Sequence, residues 1–455
     1  MTRLLRAVSA LDVDLSARAR ECVLASMQAA LLAVEPAEAV KRYVTLRGER
    51  LQVGAATYDL GSYERIYVVG AGKASAAMAM ALEDILGTRI TSGWINVKDG
   101  YTVPTREVRL HEAGHPLPDE RGVQGSQHIA SLLRETGERD LVFCLMSGGG
   151  SALMTLPAEG ISLQDMHRLT RALLRCGATI NEINTVRKHI SQLKGGDLAR
   201  IAFPAQVISL IVSDVIGNPL DVIASGPTSP DPTTFAQAYA VLDRYALLSE
   251  VPSVIVRHLQ SGMHGEIAET PKAGDQALQH TQNFIVASNE HAACAAIEQA
   301  RSSGLHALLL STSVEGEARE VAKVLAAVVK EVVRSGQPLP RPACIVAGGE
   351  TTVTVRGDGL GGRNQELALA AAASIAGLDN VAIVALGTDG TDGPTDAAGA
   401  VCTGQTLQRA AHEGLSPAGF LANNDAYHFF EAIGDLIVTG PTNTNVNDLT
   451  LLFAF

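Results

Sequence analysis

Short apolar runs, each closed by a glycine turn and followed by a stretch of helical period, set the rhythm of this chain. Residues 66–69, 94–97, 141–146 and 207–212 read as strands in the first half, and 284–287, 307–310, 344–347 and 381–386 in the second. The run at 207–212 is almost unbroken in its hydrophobicity, as strands buried on both faces of a parallel sheet are. Helical period covers 74–86, a long segment at 165–193, and then 291–302, 318–335 and 365–376. Strands alternating with helices predict an α/β fold with a parallel, doubly wound sheet. From position 249 to 283 the chain turns polar and weakly periodic. The expected organisation is therefore a domain at 1–260, a linker at 261–283 and a second α/β domain at 284–455.

Composition narrows the function. The 455 residues suffice for two or three cores at ~150 residues per domain. With 46% hydrophobic and 18% charged residues, global disorder is excluded. A net charge of −12 argues against nucleic acid as a partner, although a local cluster of cations in an acidic protein still binds a small anion. Aromatic residues are scarce, and the 43 glycines are in excess. The six cysteines are scattered without CxxC spacing and read as small buried hydrophobes in a reducing compartment. The charged N-terminus does not suit a secretory leader, and no uncharged run reaches ~18 residues. A cytoplasmic protein with no membrane partner is expected.

Five motifs carry candidate chemistry. Gly70-x-Gly72-Lys73 sits at a strand–helix junction, where exposed amides and a helix N-terminus favour an anion. It lacks the third glycine of a dinucleotide fingerprint, because Ser75 stands there, and the strand ending at Lys98 carries no ribose-binding acid at its tip. Nor is it a Walker A loop. Ser147-Gly148-Gly149-Gly150-Ser151 follows a second strand and suits the close approach of phosphate or carboxylate oxygens; a GxSxG elbow is ruled out by Leu153. On the long predicted helix, Asn184, Lys188 and Ser191 share one face, with Arg187 and Lys194 on its neighbour. Asp214 follows the 207–212 strand and faces the crevice expected at strand carboxyl ends. In the second half, Glu350, the glycine-rich approach to Arg363-Asn364, and the aspartates Asp389, Asp392 and Asp396 all follow strands or open a helix. They suggest phosphate and Mg²⁺ handling, since Mg²⁺ takes one or two carboxylates plus substrate oxygens.

The segments VVGAGKAS, GHPLPDERG, SGGGSAL, INTVRKHIS with KGG, SDVIGNPLDVIASGPTSPD, GGETTV, GGRNQE and GTDGTDGPTDAAG together resemble the class II glycerate 2-kinases, whose C-terminal part is the MOFRL domain. The likeness runs from about residue 17 to 453. It implies a Rossmann-like N-terminal domain, a smaller MOFRL-like domain with a mixed sheet, and an active site in the cleft between them. It also implies transfer of the ATP γ-phosphoryl group to the 2-hydroxyl of D-glycerate with Mg²⁺. Lys73 and Arg363 match the two cations most closely tied to catalysis in similar proteins. On this expectation Lys73 meets the phosphate or the glycerate carboxylate, and Arg363 clamps one of the same groups. Gly70, Gly72 and the 147–151 amides, with Asn184, Arg187, Lys194, Glu350 and Asn364, bind substrate or nucleotide. Asp214 or Asp389 serves as base, and Asp389 or Asp392 as metal ligand. The partners are small molecules, with a homodimer as the candidate assembly. The alternative is an NAD(P)H-dependent hydroxypyruvate reductase, and a third reading is an anion-binding module without turnover.

Overall fold

The structure, a computed structural model, describes residues 9–455. The chain forms two compact units, Pro36–Val286 and Ala287–Phe455, the latter completed by the N-terminal residues up to Glu35.

In the Pro36–Val286 unit, six strands form one sheet in the order Val108–Ala113, Ile90–Lys98, Arg65–Ala71, Asp140–Met146, Gln206–Val212, Thr281–Ala287. The pairings among the first five are parallel. Strand geometry sends alternate residues to opposite faces. Tyr67, Val69 and Ala71 enter one core with Ile129, Leu133 and Leu198, while Ile66 and Val68 are buried on the other face. This two-sided burial is why the strands read as unbroken apolar runs. Connecting helices Ser75–Leu86 and Glu120–Arg134 pack on the sheet. The sheet places residues 70–73, 147–151 and 213–214 at its carboxyl edge, where open α/β sheets bind ligands.

The other unit carries a mixed sheet in the order His306–Glu317, Ala343–Thr352, Asp448–Ala454, Val381–Gly387, Gly399–Thr403, Leu436–Ile437. Its first pair is parallel and the others antiparallel. Asp448–Ala454 is inserted between two strands distant in sequence. Its first residue therefore lies opposite Gly349 on one side and Gly387 on the other.

Three expectations are corrected. First, the long helix at 165–193 is two helices, Leu163–Arg175 and Ile180–Lys188. Gly177 turns the chain at φ +76°, and Thr179 opens a new helix through a reciprocal cap with Glu182. Ser191 and Lys194 thus lie beyond the helix that carries Asn184 and Arg187. Second, residues 261–283 are not a free linker. Asp231 N–H donates to the Pro271 carbonyl at 2.9 Å, Thr270 Oγ1 donates to Asp231 at 3.0 Å, and the segment ends in the edge strand Thr281–Ala287. Third, the N-terminal residues belong with the C-terminal half. Helix Ala17–Ala33 buries Cys22, Val23, Met27, Ala30 and Leu31 and packs on Asn289–Ser302, and Asp14 pairs with Arg409 at 3.2 Å. Of the cysteines, Cys294 is exposed rather than buried. Among the described residues no single helix is long and apolar enough to cross a membrane.

Candidate active site

In the Pro36–Val286 unit, the two glycine turns are clasped together. Lys73 N–H donates to the Gly148 carbonyl at 3.0 Å, and the Ala74 amide to Ser147 Oγ at 3.0 Å. Much of the glycine requirement comes from the protein's own close packing. A Cβ on Gly148 would collide with the Asp214 carboxylate. Gly149 has φ +86°, and a Cβ there would lie 3.0 Å from the His115 ring and 3.6 Å from Lys73 Cγ. The Ser147 and Gly150 amides are spent inside the turn, on the Ala71 and Ser147 carbonyls. The amides of the 147–151 segment left without a backbone acceptor are those of Gly148, Gly149 and Ser151.

Three cations stand around this loop with little or nothing to neutralise them. Lys73 is half-buried, and its ammonium has no hydrogen-bond or ion-pair partner among the described residues. Arg187 likewise has none, and burial lowers its pKa. Lys194 is 1% exposed and donates to the Ser151 carbonyl at 2.5 Å. Burial, and then the neighbouring Arg187 charge, bring its pKa down to about 7. Arg187, Lys194, Gly149 and Ser151 share one cavity of about 350 Å³. His115 lines it too, and burial followed by the Lys73 and Lys98 charges lowers its pKa to about 4, so the imidazole is neutral at physiological pH.

Asn184 joins this group through a residue that sequence reasoning missed. Ser225 Oγ lies 2.9 Å from Ser151 Oγ and donates to Asn184 Oδ1 at 3.4 Å. Ala224 and Ser225 hold φ of 50° and 62°, a left-handed conformation that costs of order 1–3 kcal/mol per residue. The Ser-Gly-Pro sequence that follows Ala224 gave only a turn signal.

The other unit gathers the second set. Arg363 opens helix Arg363–Ile375 and grips Asp448, with Nε to Oδ2 at 2.5 Å and Nη2 to Oδ1 at 3.0 Å; Nη1 donates to Glu350 at 2.8 Å. Burial opposes this charge, but the Asp448 hydrogen bonds and the nearby carboxylates outweigh it and raise the Arg363 pKa. Its side chain remains 33% exposed. Asp448 was not foreseen, because the strand it begins was not recognised; the apolar run LTLLFA after Asp448 was the available signal.

Asp392 does not fit a metal ligand. It is buried, and its carboxylate accepts the Asn364 amide at 3.1 Å, Asn364 Nδ2 at 3.2 Å and the Gln365 amide at 2.8 Å. It caps the Arg363 helix, and Asn364 is buried in that cap while also lining a small pocket with Gly349 and Asp448. Burial raises the Asp392 pKa to about 6. Asp389 is half-buried, with Oδ1 accepting from the Thr391 amide at 3.0 Å and the Thr391 hydroxyl at 3.2 Å. Among the described residues no group of three or more His, Cys, Asp or Glu could hold a metal alone.

Two family models match the chain: a domain of unknown function, DUF4147, over residues 22–260, and the MOFRL family over residues 343–448. The chain is 41% identical to the glycerate 2-kinase of Pyrococcus horikoshii, across 95% of this chain and 96% of that protein. It is 43% identical to the D-glycerate 2-kinase of Thermotoga maritima, across 85% and 90% of the two. Its structure matches the crystal structure of the Thermotoga maritima glycerate kinase with a TM-score of 0.86 at 39% identity, over 96% of this chain and 99% of that one.

Proposed function

The chain belongs to the glycerate 2-kinase family, and on that premise we infer how its residues divide the work of phosphoryl transfer. The enzyme moves the γ-phosphoryl group of ATP to the 2-hydroxyl of D-glycerate, giving 2-phosphoglycerate and ADP. Such a transfer asks little covalent chemistry of a protein; it asks for positioning and for positive charge over the spreading charge of the transition state.

The observation that carries the reading is the set of uncompensated cations, Lys73, Arg187 and Lys194, around the Gly148–Gly149 turn. A buried cation without a carboxylate is costly unless a ligand anion completes it. Lys73 stabilises the phosphoryl group in flight. Arg363 presents a planar fork whose aim Asp448 fixes, suited to an oxyanion of the acid or the phosphate. Asp214, beside Gly148, accepts the proton of the 2-hydroxyl as its oxygen bonds to phosphorus and ADP departs, with Asp389 as the competing base. Mg²⁺, when bound with the nucleotide, neutralises phosphate charge, and Asp389 would hold it.

Hydride chemistry finds less support. Asp99, the residue following strand Ile90–Lys98, is held bidentate by Arg121 at 2.6 and 2.9 Å instead of being left for a ribose. The test measures ADP released on adding D-glycerate, ATP and Mg²⁺. Release that requires D-glycerate supports the kinase; NADH consumption with hydroxypyruvate in the absence of ATP contradicts it. Near wild-type kcat/KM in both Lys73→Ala and Arg363→Ala would overturn the assigned roles.

A further inference from the structure

Among the described residues of the Pro36–Val286 unit, residues 187–194 contribute to two cavities. The larger, about 580 Å³, is lined by Lys188, His189, Asp197 and Arg200 among others. Apart from Arg134, its cations are already spent. Lys188 lies 3.2 Å from Asp221 and 3.3 Å from Asp231, His189 3.0 Å from Glu269, and Arg200 2.8 Å from Asp197. The smaller, about 350 Å³, is less neutralised, since Arg171 and Arg187 have no partner among the described residues and Lys194 has only a carbonyl. Of the two, the smaller is the one built to receive an anion.

Its size and its walls say which anion. A volume of this order houses a drug-sized ligand, and a three-carbon acid would fill only a fraction of it. Pro116, Leu117, Met166 and Leu174 give the cavity an apolar stretch of wall, with Arg171 beside it on the helix that carries Met166 and Leu174. Leu117 and Leu174 are 70% and 63% exposed, an unusual state for large apolar side chains that flank one opening. A ligand with a flat, weakly polar ring at one end and several negative charges at the other satisfies both halves.

We infer that this cavity seats the purine nucleotide, with the base against Leu117, Met166 and Leu174 and the polyphosphate on Arg187 and Lys194. The inference rests on the kinase reading and refines it. It separates a nucleotide seat from the Lys73 position and leaves the small acid to other groups. It also gives the fold a reason to keep Lys194 buried. Low local dielectric strengthens each phosphate contact once the nucleotide displaces water.

The test is calorimetric titration of the full chain with ADP, with D-glycerate and with inorganic tripolyphosphate. Arg187→Met is expected to weaken ADP by ~10-fold or more, the scale of a charge-assisted bidentate contact, and to leave D-glycerate within about 2-fold. Leu174→Glu changes a surface residue, so folding is not at issue. It is expected to weaken ADP several-fold, on the order of one lost apolar contact plus repulsion, and to affect tripolyphosphate less. If Arg187→Met weakens D-glycerate and spares ADP, the cavity belongs to the acid and the inference fails. If ADP affinity survives both substitutions, the nucleotide sits elsewhere. ADP release by the wild-type enzyme keeps the two readings apart. Without D-glycerate-dependent release the kinase reading itself falls; with release and unchanged ADP binding in both variants, only the cavity assignment falls.

Discussion

Arg363 and Asp448 form a bidentate pair, Nε to Oδ2 at 2.5 Å and Nη2 to Oδ1 at 3.0 Å, although 85 positions separate them in the chain. The pair exists because strand Asp448–Ala454 is threaded between the strands that lead to Glu350 and to Asp389, so that its first residue faces both motifs. Asp448 thus acts as a positioning residue, directing a guanidinium that is still one-third exposed. Asp448→Asn should leave the protein folded and lower kcat by ~10-fold or more with little change in KM, as loss of an outer-shell partner commonly does. Arg363→Lys should fare worse than its conserved charge suggests, because an ammonium cannot reproduce the planar fork. Steady-state kinetics with circular dichroism as a folding control decide both. Equal losses in kcat and in thermal stability would reduce the pair to a structural tie.

Asp392 separates a structural role from a metal role. As a cap on the first turn of helix Arg363–Ile375, it should cost about 1–3 kcal/mol of unfolding free energy when replaced by Ala, because buried amides are left without acceptors. Urea denaturation measures this loss. The Mg²⁺ concentration giving half-maximal activity should stay unchanged in Asp392→Asn. A large rise there with no loss of stability would make Asp392 a metal ligand after all.

Lys194 predicts opposite pH trends for stability and for binding. Burial lowers its pKa in the folded protein to about 7, against about 10.5 when unfolded. Below pH 7 both states hold the proton and the penalty of burying the charge is fully present. Between pH 7 and 10 the folded form sheds a proton that the unfolded form keeps, so this group's contribution to stability improves as pH rises. Anion binding runs the other way, because it needs the ammonium. Affinity for ADP should therefore fall between pH 6.5 and 8.5, with proton uptake on binding near pH 7.5, and Lys194→Met should flatten that dependence. Titration calorimetry in buffers of different ionisation enthalpy reads the proton directly; equal slopes in the two proteins would remove Lys194 from the anion site.

Local pattern was enough to find the strands that place Lys73, Ser147 and Asp214 at one sheet edge, because strands buried on both faces announce themselves as apolar runs ending in glycine. It failed where structure depends on distant pairing. Val108–Ala113 alternates polar and apolar positions at the edge of the parallel sheet. Asp448–Ala454 gains its meaning only from its two neighbours. The break at Gly177 was hidden by helical period on both sides. Helix Ala17–Ala33 shows its apolar face in sequence but not its partner, Asn289–Ser302, in the other half of the chain. At the site, residue types were legible and their employment was not. Asp392 and Asn364 read as ligand groups, and the structure bonds them to one another at the first turn of helix Arg363–Ile375. Lys188 and Arg187 are adjacent, yet one is spent on two aspartates and the other is free.

The regiochemistry of transfer tests the central claim most directly. D-Glycerate, ATP and Mg²⁺ are supplied, and the product is coupled to enolase without a phosphoglycerate mutase, so that absorbance rises only if 2-phosphoglycerate forms. The account predicts an immediate signal that Lys73→Ala abolishes. A signal that appears only after mutase is added would mean phosphorylation at the 3-hydroxyl and would contradict it.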